Sequence, residues 1–325
     1  MKVVRVTRFG DPDVLVAGEA PEPAAGPGQV VVAVAVAEIN FVETQLRRGI
    51  TPGPPLPEPP YVPGGGVAGR VAAIGDGVAP EWLGRRVATG TADRLGGNAE
   101  RAVANADDLV PVPDGLGLPE AAALLNDGGT ALGLFEGAKV RAGDRVLVEA
   151  AAGGLGSLLV QLALSAGARV VGAARGEAKL ALIRELGAEA VDYSAPGWAK
   201  QALDAPGAGD AGFDVVFDGV GGEIGRAAFG ATARGGRFSV HGASSGAATV
   251  IPPDEAAERG VTVLGIEQLM GFGDGAKERA LRAMEAAAEG RIGPVVGQRL
   301  PLERAAGAHA AMEARSVVGK TLLIV

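Results

Sequence analysis

The stretch that most constrains this chain is residues 144–174, which read DRVLVEAAAGGLGSLLVQLALSAGARVVGAA. Val146 to Val148 form the short apolar run of a strand buried on both faces, and Gly153, Gly154 and Gly156 follow almost at once. Leu155, Leu158, Leu159, Leu162, Ala163 and Ala166 then fall at helical spacing, Gly167 stands where a helix would stop, and Val170 and Val171 open a second strand. The order is strand, glycine turn, helix, strand. A helix N-terminus carries unpaired N–H groups and a partial positive charge, so this arrangement suits a pyrophosphate, and glycines let the phosphate approach the backbone. The dinucleotide fingerprint wants three glycines; here the first is replaced, giving Ala150-x-x-Gly153-x-x-Gly156. The flanking elements carry the cofactor reading as much as the glycines do. The plain alternative is a tight turn that holds no ligand.

Residues 150–168 contain no charge, and a run of that length enters the window for a membrane-spanning helix. Alanine and glycine fill much of it, Gln161 interrupts it, and no aromatic or basic belt marks both edges, so no membrane span is expected. A chain of 325 residues has room for two domains, and 47% hydrophobic with 21% charged residues is the balance of a soluble globular protein. The net charge of -8 leaves no basic excess to displace counterions from nucleic acid. Cysteine is absent and His241 and His309 are the only histidines, which removes disulfides, thiol catalysis and any thiolate zinc site. The first six residues alternate charge with valine and lack the apolar core of a signal peptide, so a cytoplasmic location is expected.

Taken in order, short strands are expected over 2–8, 14–19, 29–37, 67–74, 86–89, 99–104 and 109–112, with turn signals between them. Residues 38–48 suit a loop entering a short helix. Residues 51–66 are too proline-rich for helix or central strand and read as a surface loop. So many short strands suggest an antiparallel, barrel-like domain. From Pro119 a helix is expected to Leu125, an interruption at 126–129, and a second helical pattern over 130–138. After the glycine turn, helices over 179–186, 198–203 and 222–232 alternate with strands over 190–193, 214–218 and 236–241. That alternation predicts an α/β fold: a doubly wound parallel (Rossmann) sheet over residues 120–266. Helices over 277–288 and 305–314 and a strand over 320–325 close the chain. The last segment is expected to rejoin the first domain, giving 1–119 with 267–325 as one domain and 120–266 as the other.

The second strand of the unit ends Gly172-Ala173-Ala174-Arg175-Gly176. A carboxylate there would accept from a ribose 2′-hydroxyl, whereas a cation suits a 2′-phosphate. Arg175 stands where the acid would be, Lys179 lies four residues on, and Glu177 lies between them. NADPH is therefore expected over NADH; the alternative is that both cations are solvated helix-entry charges.

Residues 1–2 with 9–15, 21–23 with 26–28, 39–41, 68–71, 150–156, 214–221 and 319–322 together make the chain similar to the zinc-free quinone oxidoreductase (zeta-crystallin-like) branch of the medium-chain dehydrogenase/reductase superfamily. The resemblance covers nearly the whole chain. It implies a GroES-like, mostly antiparallel β-barrel substrate domain, a Rossmann domain inserted after it, NADPH, homodimers or homotetramers, and reduction of quinones or conjugated enones. By the same resemblance Asn40 matches an active-site asparagine near the nicotinamide, and Thr130 a threonine that contacts the cofactor. Ala152, Gly153, Gly154 and Leu155 belong to the pyrophosphate turn, and Lys179 and Tyr193 match a pair that clasps the 2′-phosphate. Val220 and the stretch Gly242-Ala243-Ser244 match loops around the adenosine and nicotinamide ribose, and Arg315 a basic residue that reaches the cofactor. Each has a structural alternative: Asn40 as a helix cap, Tyr193 as a strand-end packing residue, Arg315 as a surface charge. Gly66 stands where the family has an acid, Glu43 where it has an aspartate, Gln45 in place of a frequent tyrosine and Asn98 in place of an aromatic. Those departures lie on the substrate side.

The expected chemistry is zinc-independent hydride transfer to a quinone or α,β-unsaturated carbonyl, with Asn40 or a backbone N–H stabilising the developing oxyanion. The sequence offers no evident general acid, and His241 reads more readily as structural. Rival readings are an enoyl-thioester or acrylate-type reductase, a protein that binds NADPH without significant turnover, and a glycine-turn methyltransferase.

Overall fold

The computed structural model describes residues 1–51, 56–206 and 211–325, so positions 52–55 of the proline-rich 51–66 segment lie outside the described residues. The chain separates into two compact units, Met1–Asn126 with Ala280–Val325, and Asp127–Arg279.

The first unit opens with β1 (Lys2–Val6) and β2 (Leu15–Glu19), an antiparallel pair. Its central strand is β3 (Gln29–Ile39), where alternating valines and alanines suit a strand covered on both sides. There follow α1 (Phe41–Arg47), β4 (Gly66–Ile74), β5 (Arg86–Gly90), β6 (Arg101–Asn105), β7 (Val110–Pro111) and the start of α2 (Leu118–Ala138). One core gathers Val30, Val32 and Val34 of β3 with Val67, Val71, Val87 and Leu109.

The second unit holds β8 (Arg145–Glu149), α3 (Gly154–Ser165), β9 (Arg169–Ala174), α4 (Glu177–Glu185), β10 (Glu189–Asp192), α5 (Trp198–Asp204), β11 (Phe213–Asp218), α6 (Gly222–Ala231), β12 (Thr232–Val240), α7 (Pro253–Arg259) and β13 (Thr262–Leu264). Its six strands run in the order β10-β9-β8-β11-β12-β13, all parallel. Counted from β8, that is the 3-2-1-4-5-6 order of a dinucleotide-binding sheet, whose order reverses between β8 and β11. Phe213, Phe229 and Phe238 pack with Val216 and Leu147 beneath it.

The chain returns to the first unit through α8 (Ala276–Ala288), then β14 (Val296–Pro301), α9 (Ala305–Glu313) and β15 (Lys320–Ile324). The first unit's larger sheet runs β14-β15-β3-β4-β5-β7, with β6 also on β3, and among the described residues only its β14–β15 pair is parallel. Arg47 is buried between α1 and α9, where it pairs with Glu313 and donates to the Gly10 carbonyl at 2.9 Å.

The expected break at 126–129 is absent: α2 is one continuous helix. The two glycines at the expected break, Gly128 and Gly129, cost about 1 kcal/mol each relative to alanine. Burial of Ala121, Ala122, Ala123 and Leu124 before them, and of Ala131, Leu134 and Ala138 after them, offsets that cost. Strands β13 and β14 and helix α7 have no counterpart in the sequence expectation. They are short, and β14 alternates half-buried with exposed residues rather than apolar with polar ones.

Candidate active site

In the second unit β8 delivers the chain to Ala150, whose φ of 48° is left-handed. Gly153 is extended and caps α3, which begins at Gly154. A Cβ on Gly156 would collide with the Ala150 carbonyl, so the helix enters closer to the strand than any side chain would allow. Ala152 is buried, and Leu155 lies in the first turn, whose N–H groups have no intrahelical acceptors. The corner therefore presents backbone donors at the positive end of a twelve-residue helix.

One strand over, Arg175 follows β9 and Tyr193 follows β10. The Tyr193 N–H donates to the Ala174 carbonyl at 3.1 Å, and the Arg175 guanidinium lies 6.0 Å from the Tyr193 ring centre. Lys179 is in the first turn of α4. Asp192 also belongs to this corner: it accepts from the Ser194 N–H at 2.8 Å and from the Gly176 N–H at 3.2 Å. Arg175 and Tyr193 thus stand beside a carboxylate already engaged by backbone donors. Set against burial, the Ser194 and Gly176 donors and then the Arg175 charge hold its pKa below the usual range.

Between these corners the strand ends hold a buried acid pair that the sequence does not reveal. The β8–β11 register sets Val148 opposite Phe217, so Glu149 meets Asp218 where the strand order reverses, and both are sealed from solvent. Burial first, and the adjacent Asp218 charge second, push the Glu149 carboxyl well above the usual range, so it is a neutral acid hydrogen-bonded to Asp218. The Val220 N–H donates to Asp218 Oδ1 at 3.1 Å and to Glu149 Oε2 at 3.3 Å, the Gly221 N–H to Asp218 Oδ1 at 2.7 Å, and the Thr249 hydroxyl to Asp218 Oδ2. The neighbouring loop is tied in by Ser245 N–H on the Val220 carbonyl at 2.9 Å and Gly246 N–H on Ala243 at 2.9 Å, which brings Val220 beside Gly242, Ala243 and Ser244. His241 stands at the root of that loop; burial lowers its pKa to about 4 despite Asp218, so it is neutral at physiological pH. Thr130 is half-buried on α2. A glutamate directly after a three-valine/leucine run is the one sequence signal that marks Glu149, and it reads equally well as a solvent-facing strand end.

In the first unit, β3 and β15 are antiparallel with Ile39 opposite Thr321, which brings Asn40 beside Lys320. Lys320 Nζ donates to Asn40 Oδ1 at 2.6 Å and pairs with Glu38 Oε2 at 2.6 Å. Asn126 Nδ2 donates to the other Glu38 oxygen. Glu38 is fully buried and Lys320 is 5% exposed, so this is an ion pair in the protein interior. Gly66 explains its place: a Cβ there would overlap Glu38 Oε1 and stand 3.0 Å from Leu125 Cδ2. Glu38, on the adjoining strand, occupies the space that a side chain at position 66 would fill.

Asn40 precedes α1, and its N–H donates to Glu43 Oε1 at 3.0 Å, closing the helix's first turn. Burial, set against that N–H bond, raises the Glu43 pKa to about 7, with Glu38 adding to the rise and Lys320 opposing it. Burial next to Glu43 also pushes the Tyr61 hydroxyl up to about 12. Arg315 stacks 4.2 Å over the Phe41 ring, next to Asn40. Gln45 is half-buried on α1, and Asn98 is fully buried with no side-chain hydrogen-bond partner among the described residues. The sequence singled out Asn40 but not Glu38 or the role of Lys320.

A two-unit chain with a 3-2-1-4-5-6 sheet, a glycine turn and a mixed GroES-type sheet defines the medium-chain dehydrogenase/reductase class. Residues 26–114 match the alcohol dehydrogenase GroES-like domain, and residues 154–285 match the zinc-binding dehydrogenase domain. The chain is 32% identical to a quinone oxidoreductase of Mus musculus over 95% of its length and 93% of that protein. It is 31% identical to a 2-haloacrylate reductase of a Burkholderia species over 98% of its length and 97% of that protein. A solved NAD-dependent alcohol dehydrogenase, 32% identical, superposes with a TM-score of 0.88 over the whole of both chains. The quinone oxidoreductase of Escherichia coli complexed with NADPH, 26% identical, does so with a TM-score of 0.90, again over all of both chains. The chain belongs to the quinone oxidoreductase branch of the medium-chain dehydrogenase/reductase superfamily. Among the described residues no helix is long and apolar enough to cross a membrane.

Proposed function

We propose that this oxidoreductase uses NADPH, without zinc, to reduce a quinone or α,β-unsaturated carbonyl. The observation that carries the proposal is the pairing of the glycine corner at 153–156 with the Arg175–Tyr193 contact and Lys179 one turn on. The first offers backbone donors to a diphosphate, and the second offers charge and a ring to a 2′-phosphate. NADPH-bound Escherichia coli quinone oxidoreductase supports that choice, and the NAD-dependent alcohol dehydrogenase marks the competing one. The composition supports zinc independence, since the sequence has no cysteine and two histidines.

When bound, the nicotinamide would supply a hydride, one proton with two electrons, to an electron-poor carbon. The chain's own work is to hold the acceptor, exclude water and stabilise the charge that appears on the acceptor oxygen. Asn40 is the proposed donor to that oxygen, with Thr130 and Arg315 as cofactor contacts and Ala152 to Leu155, Val220 and the 242–244 loop around the diphosphate and riboses. Glu43, near neutrality in its titration, is a proton source that the sequence did not suggest. An acrylate-type substrate is the second reading, favoured by the likeness to 2-haloacrylate reductase.

We further propose a homodimer or homotetramer acting in the cytoplasm. The outer strand β13 and the turn after it expose Val263, Ile266 and Met270, an apolar edge suited to a second copy. Following NADPH oxidation at 340 nm with 1,4-benzoquinone, crotonyl and acryloyl compounds tests the function. Turnover of the quinone above the acryloyl and crotonyl compounds supports the first reading, the reverse ranking supports the second, and tight NADPH binding with no turnover of any of them contradicts both.

A further inference from the structure

We propose that Lys320 is a positioning residue: paired with Glu38 in the space left by Gly66, it fixes the Asn40 side-chain amide with its carbonyl turned inward and its NH2 turned out as the donor. This rests on Asn40 as the oxyanion donor of the proposed function. A lysine ammonium has three donors and no acceptor. The amide atom 2.6 Å from Lys320 Nζ must therefore be oxygen, and the two N–H donors of Asn40 must point elsewhere. An inverted amide would set its N–H groups against a buried cation, so the orientation is fixed by charge.

The rest of the cluster keeps that cation in place. Glu38 Oε2 neutralises Lys320 at 2.6 Å, Asn126 occupies the second Glu38 oxygen, and glycine at 66 admits the carboxylate at all. The Asn40 backbone is held separately, by its N–H on Glu43 Oε1 at 3.0 Å, so neither end of the residue swings. Asn40's N–H donors are then shared between Glu43, whose ionised form they favour, and an incoming acceptor oxygen.

Lys320→Met alone would strand a buried carboxylate and can fail to fold, so the decisive variant is the charge-neutral double substitution Glu38→Gln with Lys320→Met. Two measurements are made against the wild-type protein. The first is kcat for 1,4-benzoquinone with NADPH, alongside the NADPH dissociation constant by fluorescence. The second, on ligand-free 15N-labelled protein, is the pair of Asn40 side-chain amide signals, identified by their loss in Asn40→Ala. The expected result is a fall in kcat of about 100-fold, the lower end of the cost of losing an oriented oxyanion donor. NADPH affinity should stay within about twofold, the Asn40 amide signals should move, and adding Asn40→Ala should cost no further activity. Unchanged amide signals, or losses from Asn40→Ala and the double substitution that multiply independently, would overturn the assignment. If wild-type protein neither bound NADPH nor reduced the quinone, the proposed function would fall, while the ligand-free amide signals would still report on the Lys320–Asn40 contact.

Discussion

Glu149 and Asp218, carried to one point by neighbouring parallel strands, form a buried acid–carboxylate pair under the Val220–Gly221 turn. The folded protein holds the Glu149 proton more tightly than the unfolded chain does, so the pair contributes stability that is complete below the ordinary glutamate range near 4.5 and is lost as pH rises through the elevated folded value. Melting temperature should therefore decline on the alkaline side. Glu149→Gln keeps a donor toward Asp218 and has no proton to lose, so thermal scans from pH 5 to 10 should show a flatter alkaline limb for that variant. Identical limbs would contradict the pair's protonation.

Arg175 and Lys179 are the cations of the proposed 2′-phosphate corner. Charge-assisted hydrogen bonds are worth roughly 1.5–3 kcal/mol each, so Arg175→Ala with Lys179→Ala should weaken NADPH binding by about 100- to 10,000-fold. NADH, which lacks the phosphate, should change by less than about threefold on the same scale. Paired titrations of both nucleotides check this.

Ala150 pays for its left-handed φ of 48° as any side chain would, by roughly 1–2 kcal/mol. Ala150→Gly removes that cost but adds about 0.5–1 kcal/mol of chain entropy, so denaturant unfolding should show a net gain of up to about 1.5 kcal/mol. Gly156→Ala, by contrast, forces a methyl against the Ala150 carbonyl and should abolish nucleotide binding.

Glu43 gives the site its expected pH dependence. With a pKa of about 7, it is neutral in mildly acid solution and ionises as pH rises, when it competes for the Asn40 amide and stops being a proton source. Quinone reduction should therefore fall with an inflection near 7, and Glu43→Gln should remove that inflection. His309 works in the opposite sense on stability. Burial, with Arg47 adding to it, lowers its pKa to about 3, so its contribution is complete above about 6.5 and is lost as pH falls toward 3.

Much of the fold was legible because it is written in local patterns. The apolar run at 146–148, the glycines and the leucine periodicity name β8, the turn and α3, and the later alternation names a doubly wound sheet. The continuous α2 was not legible, since glycine pairs usually break a helix and only burial on either side of them reverses that. Arg175 and Tyr193 were nameable from their places at two strand ends, and the fold brings them together. Glu38 and Glu149 were not, because a charged residue in a strand reads as solvent-facing until the adjoining strand is known. Their partners, Lys320 and Asp218, arrive from distant parts of the chain.

The most direct test of the account is calorimetric titration of the wild-type protein with NADPH and then NADH. Saturable binding of one NADPH per chain is expected, with a dissociation constant below about 100 μM and NADH at least about tenfold weaker. No heat with either nucleotide up to about 1 mM, or NADH binding as tightly as NADPH, would contradict it.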